Sequence, residues 1–388
     1  MLGAMAVAGN PSSVHAEGRQ ARALIETARA QVAALVGARP GEVVFTSGAT
    51  EAAHLVMRGP WDCIALNETE HDAVHAAAMA ASCPTLGFLG AAMALDEPVF
   101  GFRAGDGAPL DDAAQAVWYD ARRPLVCLQD ANSETGVMPR VERTCIDAGP
   151  TGPLGAAPGA TLGATLGATL GAAPEATAGA ALWLRDATQV AGKAVPDATG
   201  RLRPAAEHCA DGRAFSILSA HKLGGPRGVG ALVVREGVDL LPPQPGGGQE
   251  MGRRSGTENV IGIAGFGAAA AAALAEAGTG LWDRVRHLRN ILESHLEDVA
   301  PDLIIIGRKA ERLPNTTCLS VPGWKGETQV MQLDLAGFAV SAGAACSSGK
   351  VRASRVLHAM GYDAAAASSA IRVSLGPTTE AAEVEAFA

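Results

Sequence analysis

The stretch from Ser219 to Val234, SAHKLGGPRGVGALVV, places a lysine where a surface lysine is not expected. Lys222 follows His221 and precedes a Gly-Gly-Pro turn. The apolar runs on either side of this turn are typical of buried strands. A lysine in a protected site can form a Schiff base with an aldehyde. The sequence therefore singles out Lys222 as a candidate for covalent chemistry.

Polar residues follow other apolar runs in the same way. Thr50 lies in TSGATE, where a loop opens a helix after VVF, and the free N–H groups of a helix start suit a phosphate. Asp186 and Gln189 follow ALWLR. Ligands of open α/β sheets bind outside the carboxyl ends of the strands, so these groups should converge on one edge. An aldehyde cofactor with a phosphate and a pyridine nitrogen needs an anion site, an acid and a lysine, which predicts pyridoxal 5'-phosphate on Lys222.

An α/β domain must position these residues. Residues 16–36 carry apolar residues at helical spacing, and Gly37 ends that helix. Apolar segments that fit strands (CIAL, PLVCLQD, ALWLRD, FSILSA and VGALVV) mostly alternate with helical segments, which predicts an α/β fold with a largely parallel sheet. After about Gly262 the chain becomes helical and then enters LIIIG and NTTCLSV. We therefore expect a large cofactor-binding domain of residues 1–262 and a smaller α+β C-terminal domain of residues 263–388.

Composition excludes several classes of function. The chain has 388 residues, a net charge of −9 and no basic block, so direct binding of nucleic acid is not expected. The seven cysteines form no CxxC pair and no zinc motif, which predicts no metal site and a reducing compartment. No apolar run reaches the roughly 18 residues of a membrane span, and the start resembles no signal peptide, so we expect a cytoplasmic protein. Residues 149–179, with their repeated GATL unit, are interpreted as a low-complexity surface insertion.

Nine stretches, in order, resemble the cysteine desulfurases. This family belongs to the class V aminotransferase branch of the fold-type I pyridoxal-phosphate enzymes. The stretches are NPSSVHAEGRQAR, VVFTSGATEAAHL, TEHDAV, NSETGV, DATQVAGK, SAHKLGGPRGVGAL, GGGQEMGRRSGTEN, SAGAACSSG and AIRVSLGPTTE. They cover nearly the whole chain outside the insertion. The resemblance implies a fold-type I enzyme that converts L-cysteine to L-alanine.

The resemblance also implies a set of cofactor contacts. Lys222 would carry the cofactor, Asp186 would pair with its pyridine nitrogen, and Gln189 would reach its ring hydroxyl. Contacts to the phosphate would come from Thr50, Ser219, His221 and, across a homodimer interface, Thr257.

On the substrate side, the resemblance implies that His71 stacks on the pyridine ring and moves protons. Arg372 would hold the substrate carboxylate through its planar fork, and Asn132 would also bind substrate. Ser133 stands where the family usually has a second asparagine that contacts the cofactor. Cys346, in the small and polar stretch AGAACSSGKVRAS, would take the sulfur as a persulfide and pass it to an acceptor protein, either an iron–sulfur scaffold or a sulfurtransferase that serves tRNA thiolation.

Two alternatives stay open. A selenocysteine lyase or another class V lyase depends less on an attacking thiol, so the match around Cys346 favours sulfur chemistry. A catalytically weak paralogue that acts as a scaffold subunit is favoured by Ser133 and by a start only nine residues before Asn10, where the family usually has a strand and an Ala-Thr-Thr loop. The presence of Lys222, Asp186, His71 and Cys346 favours an enzyme.

Overall fold

The computed structural model describes residues 1–7, 9–88, 117, 121–139, 181–196, 202–204, 215–238, 240, 246–342 and 354–388. The predicted insertion at 149–179 and Cys346 lie outside these described residues.

The strands alternate with helices along the first part of the chain, as the apolar segments predict. In chain order the strands are β1 (Val43–Thr46), β2 (Cys63–Asn67), β3 (Thr85–Phe88), β4 (Pro124–Gln129), β5 (Leu182–Asp186), β6 (Ala194–Pro196), β7 (Leu202–Pro204), β8 (Phe215–Ser219), β9 (Gly230–Val234), β10 (Ile304–Ile305), β11 (Thr316–Ser320), β12 (Ser341–Ala342) and β13 (Ala370–Ser374).

The helices include the long ones that the sequence predicts. In chain order they are α1 (Leu2–Met5), α2 (Ala16–Leu35), α3 (Ala49–Met57), α4 (Asp72–Met79), α5 (Val260–Glu276), α6 (Leu281–Val299), α7 (Gly326–Leu335), α8 (Arg355–Ala359), α9 (Ala364–Ser368) and α10 (Ala381–Phe387). The chain leaves α2 through Gly37 at a φ of 64°, which confirms the predicted end of that helix.

A seven-stranded sheet in the order β1-β9-β8-β5-β4-β2-β3 forms the main body. The pairs from β8 to β3 are all parallel, whereas β9 runs antiparallel to both β8 and β1. The largely parallel α/β fold is therefore confirmed, with β9 as its one reversed strand. The short antiparallel hairpin of β6 and β7 was not predicted.

Both faces of this sheet are buried, which explains why its strands are almost continuously apolar. On one face, α2 and α5 pack along each other and cover Phe45 and Leu218. On the other face, α3 and α4 cover Val44 and Ile217. The division at residue 262 stays a prediction. The burial of Phe266 of α5 in the core of the large sheet favours a boundary after α5.

A four-stranded antiparallel sheet in the order β10-β11-β13-β12 forms the C-terminal part. Its core joins α6 and α10 to the strands, and includes Leu292, Leu319, Ile371 and Val384. Among the described residues, no single helix is long and apolar enough to cross a membrane. Only α5 and α6 taken together pass by length and composition, and they are bent by 79°.

Candidate active site

The predicted strand ends lie side by side in the sheet. Gln129, the last residue of β4, is paired with Asp186, the last residue of β5, and Asp186 is paired with Ile217 of β8. The amide of Asp130 donates a hydrogen bond of 2.9 Å to the carbonyl of Asp186, so the first residue after β4 is also fixed. The loops that follow these strands therefore open on one edge of the sheet, as their sequence order predicts.

Asp186 is a buried carboxylate at the centre of this edge, with 5% of its surface exposed. Its Oδ1 accepts hydrogen bonds from the amide and the hydroxyl of Thr188, at 3.0 and 2.7 Å. Burial raises the pKa of Asp186, while these bonds and the positive charges of His71 and Lys222 lower it in part. Asp186 is a suitable partner for a cationic ring nitrogen, which would favour its charged form.

Lys222 lies in a short 3-10 helix, Ala220–Leu223, directly after β8. The helix turns out through Gly224 at a φ of 87°, which only glycine adopts without strain. Burial lowers the pKa of Lys222, and the charge of Arg372 lowers it further, against the opposing effect of Asp186. A lowered pKa increases the fraction of neutral amine, which is the form that attacks an aldehyde.

The predicted phosphate contacts Thr50, Ser219 and His221 lie at or just after the ends of β1 and β8. These two strands are the neighbours of β9 on either side in the sheet. Gly230 is paired with both Thr46 at the end of β1 and Ser219 at the end of β8. A Cβ at Gly230 would lie 2.7 Å from the Cα of Gly48, the residue that precedes α3. The start of α3, with Thr50 exposed in its first turn, therefore approaches the end of β8.

His221 completes this anion-binding edge. Its Nδ1 lies 2.9 Å from the hydroxyl of Ser219. Burial lowers the pKa of His221, and the charges of Lys222 and Arg227 lower it further. The helix start, the hydroxyl and the imidazole provide the kind of donors that a phosphate requires.

The segment that carries Thr257 is anchored by a buried ion pair. Arg29 of α2 donates two hydrogen bonds to Glu250, at 2.8 and 2.9 Å, and the amide of Phe45 donates a third at 2.8 Å. Glu250 and the next residue, Met251, both have positive φ values, 47° and 59°. The ion pair therefore holds a strained turn in place. Thr257 is exposed, seven residues beyond Glu250.

His71 lies between the end of β2 and the start of α4. It caps that helix, because its Nδ1 accepts a hydrogen bond of 3.1 Å from the amide of Ala73. In a neutral imidazole the proton must then reside on Nε2, which is the nitrogen left to face other groups.

Arg372 of β13 connects the four-stranded sheet to the loop that follows β4 of the large sheet. Its Nη1 donates to the carbonyl of Ser133 at 2.7 Å, and its Nη2 donates to the hydroxyl of Ser341 at 3.2 Å. Its Nε is buried and has no hydrogen-bond partner among the described residues. An arginine Nε and Nη2 point along the same side of the guanidinium, so this side can bind a carboxylate at two points.

Asn132 has a different environment from the one that its predicted role suggests. It is 1% exposed, and its amide nitrogen donates to the carbonyl of Thr69 at 3.0 Å. Its side-chain oxygen accepts from the amides of Glu134 and Thr135, both at 2.9 Å. These bonds shape the loop that presents Ser133. The substrate-binding role of Asn132 stays a prediction, and its contacts favour a role in positioning that loop.

Three titratable residues at the site were not singled out from the sequence: the buried Glu70 and Lys193 and the half-buried Glu134. Burial raises the pKa of Glu70, and the charge of Asp186 raises it further. Burial lowers the pKa of Lys193 to about 8, with contributions from Lys222 and Arg372. The ammonium of Lys193 donates to the carbonyl of Gln189, so it holds the turn that carries this predicted cofactor contact. Glu70 and Lys193 lie within the stretches TEHDAV and DATQVAGK. Only their burial in the structure sets them apart from the other polar residues of these stretches.

Of the described cysteines, Cys63, Cys127 and Cys318 are buried, and Cys83 is half-buried. Cys318 lies fully buried in β11, and burial raises its pKa. Burial also raises the pKa of Cys63 to about 12. Within the described part of the chain, no group of three or more His, Cys, Asp or Glu side chains could hold a metal ion.

Comparisons with known proteins agree with this arrangement. Residues 4–89 and 209–387 match the family described as "Aminotransferase class-V". A cysteine desulfurase from Cereibacter sphaeroides is 37% identical over 384 residues, which is 97% of this chain and 86% of that protein. A cysteine desulfurase from Frankia sp. (strain EuIK1) is also 37% identical, over 98% of this chain and 83% of its own. The X-ray structure of a NifS-like protein from Rickettsia africae superposes with a TM-score of 0.76 at 27% identity, over 100% of this chain and 91% of that one.

Proposed function

The chain belongs to aminotransferase class V and, within it, to the cysteine desulfurases, and from this premise we propose that it uses pyridoxal 5'-phosphate on Lys222 to convert L-cysteine to L-alanine, with the sulfur left as a persulfide on Cys346. The observation that carries the proposal is the convergence of Lys222, Asp186 and Arg372. Asp186 ends β5, the turn of Lys222 follows the neighbouring parallel strand β8, and Arg372 donates to the carbonyl of Ser133 in the loop after β4, the neighbour of β5 on its other side. An amine, an acid and a carboxylate-binding cation are the groups that such a reaction needs.

The residues present fit the cofactor. Lys222 and Asp186 can hold its aldehyde carbon and its ring nitrogen, and Gln189 lies one turn from Asp186. The start of α3, Ser219 and His221 can bind its phosphate. When bound, the cofactor supplies an electron-withdrawing ring that stabilises negative charge at the substrate α-carbon.

Lys222 has two roles in the proposal. Its amine first holds the cofactor, and once substrate has taken that place, the free amine removes the α-proton. Both roles need a neutral amine, and the lowered pKa of Lys222 makes this form more available near neutral pH. His71 lies close enough to Asp186 to influence its pKa, and with Nε2 protonated it can donate a proton at this edge.

Arg372 binds the substrate carboxylate through Nε and Nη2. Nε has no other hydrogen-bond partner among the described residues, and Nη2 makes only the longer bond of 3.2 Å to Ser341. Nη1 stays with the carbonyl of Ser133 and fixes the plane of the guanidinium. The two-point contact orients the α-carbon toward Lys222.

Cys346 is the proposed sulfur acceptor. Its thiolate attacks the sulfur of the substrate, a new S–S bond forms, and the C–S bond breaks with its electron pair left on the carbon side. That carbon then takes up a proton, and alanine is the product. The thiolate is the reactive form of cysteine, and the buried Cys318, whose pKa is raised, is poorly suited to this role.

We further propose a homodimer in the cytoplasm, in which the exposed Thr257 reaches the phosphate bound by the partner subunit. The persulfide would pass to an acceptor protein for iron–sulfur cluster assembly or tRNA thiolation. The scattered cysteines, which form no pair motif, support a reducing compartment.

The test is a spectrum of the purified full-length protein with pyridoxal 5'-phosphate, followed by assays for alanine and, with a thiol reductant, sulfide from L-cysteine. We expect a yellow protein and equal amounts of the two products. Turnover of L-selenocysteine alone would favour the selenocysteine lyase. A protein that stays colourless and forms no alanine would favour the scaffold subunit.

A further inference from the structure

Arg355, the first residue of α8, reaches across to the turn that carries His71. Its Nη2 donates to the carbonyl of Glu70 at 2.6 Å and to Oδ1 of Asp72 at 3.1 Å. Its Nη1 donates to the carbonyl of Glu68. These acceptors lie on both sides of His71, so a single guanidinium spans the turn.

The side chains of Gln129 and Asn132 donate to the carbonyl of Thr69, at 2.8 and 3.0 Å, and so connect this turn to the end of β4 and the loop after it. Other bonds of the turn are short-range. The amide of Glu70 donates to the carbonyl of Asn67 at 2.9 Å, and the amide of Ala73 donates to Nδ1 of His71 at 3.1 Å. They fix the ring relative to its own helix. Through Asn132 the turn is connected only indirectly to Arg372, by way of the loop whose Ser133 carbonyl binds Arg372. Arg355 connects the turn directly to the C-terminal part of the chain.

The residue before Arg355 makes a second connection. The hydroxyl of Ser354 donates to Oε2 of Glu134 at 2.5 Å, and it also caps α8 by accepting from the amide of Leu357. Glu134 lies next to Ser133, whose carbonyl binds Arg372. The start of α8 is therefore tied to both loops that line the site.

We infer that Arg355 is a positioning residue for His71: it holds the turn of residues 68–72 at the distance from Arg372 and Lys222 that the reaction requires. The inference rests on the proposed role of His71 at the cofactor. Arg355 itself is not expected to touch the substrate. A guanidinium is needed because three acceptors in different directions require several donors in a fixed plane.

The first measurement is hydrogen exchange, followed by mass spectrometry, in full-length protein. The variants are Arg355→Met and Arg355→Lys. The control is Arg284→Met, because Arg284 also donates to two backbone carbonyls, those of Thr379 and Pro377, in the C-terminal domain. We expect Arg355→Met to accelerate exchange about tenfold in peptides that cover residues 68–75, with Arg355→Lys in between.

The second measurement is the absorbance change that L-cysteine causes in the cofactor-loaded protein, made in a Cys346→Ser background so that sulfur transfer does not contribute. We expect the half-saturating concentration to rise about tenfold for Arg355→Met and to stay unchanged for Arg284→Met.

The two measurements separate the inference from the proposed function. If residues 68–75 exchange in Arg355→Met as they do in the parent protein, Arg355 does not position this turn, whatever the activity. If exchange rises equally over the whole chain in both Arg355 variants, Arg355 stabilises the fold and not the turn, and the inference is also overturned. If the parent protein itself shows no absorbance change with L-cysteine, the proposed function fails instead.

Discussion

Glu134 gives the protein a pH dependence that can be calculated in advance. Burial raises the pKa of its carboxyl from 4.5 to about 7, although the hydrogen bond from Ser354 and the charges of Arg355 and Arg372 lower it, and Asp72 raises it slightly. In the unfolded chain the carboxyl loses its proton near pH 4.5. Between these two values the folded state binds more protons than the unfolded state. The free energy of unfolding must therefore fall as the pH rises through this window.

The size of the effect follows from the shift. Each pH unit in the window removes about 1.4 kcal/mol, so the loss reaches about 3 kcal/mol above pH 7 and vanishes below about pH 4.5. Glu134→Gln has nearly the same shape, stays neutral and can still accept the hydroxyl of Ser354. The variant should therefore be more stable than the wild type by about 3 kcal/mol at pH 8 and about equally stable at pH 4.5.

Urea titrations of both proteins at several values between pH 4.5 and 8, followed by circular dichroism, measure this difference. Other buried groups, such as Glu70 and Lys193, contribute to both proteins and cancel. Glu327→Gln on the exposed side of α7 is the control for removing one carboxyl. A difference between Glu134→Gln and wild type that is flat across this range would show that the carboxyl is not protonated in the folded state, and the reasoning from burial would be refuted.

Three further predictions test the site and its anchors. Lys222→Ala should lose the covalent cofactor link that borohydride reduces, as well as turnover, and a variant that stays yellow and active would place the cofactor elsewhere. Cys346→Ser should keep its absorbance response to L-cysteine but lose sulfide release by orders of magnitude, since a hydroxyl is far less ionised than a thiol at neutral pH; release at the wild-type rate would exclude Cys346 as the acceptor. Arg29→Met should lower the free energy of unfolding in urea by about 3–5 kcal/mol, because it leaves the 1% exposed carboxylate of Glu250 without its ion pair. Arg254→Met breaks a half-buried ion pair with Glu51 and should lower it by about 1 kcal/mol or less. Equal costs would contradict the role assigned to burial.

The sequence predicts the frame of the site well because strand ends leave strong local signals. Apolar runs followed at once by polar residues mark β5 and β8, and their parallel pairing then brings Asp186 and the Lys222 turn to one edge. The reversed direction of β9 was not predicted, although only ten residues separate it from β8. A parallel connection needs a crossover of about a dozen residues or more, so this spacing contained the information.

Short elements and buried charges escaped prediction for physical reasons. β10 and β12 have two residues each, too few to show a period of two. The side chain of Glu70 is fully buried only because β4 and the start of α8 pack around it, and no local pattern reports such packing. The internal bonds of Asn132 likewise depend on Thr69, a residue 63 positions earlier in the chain.

The loop of residues 132–138 links substrate binding to the C-terminal domain. The carbonyl of Ser133 accepts from Arg372, Glu134 accepts from Ser354, and Val137 is bridged to Arg312. All three contacts come from the C-terminal part of the chain, whereas Asn132 at the start of the loop donates to Thr69 beside the large sheet, so the loop connects the two parts. Nη2 of Arg372 carries two hydrogens, so it can keep its bond to Ser341 while Nε and the second hydrogen of Nη2 bind a carboxylate. Ser341 precedes Cys346 by only five positions in the sequence. In the proposed function, Arg372 therefore binds both the substrate carboxylate and Ser341, which lies five positions before the proposed sulfur acceptor.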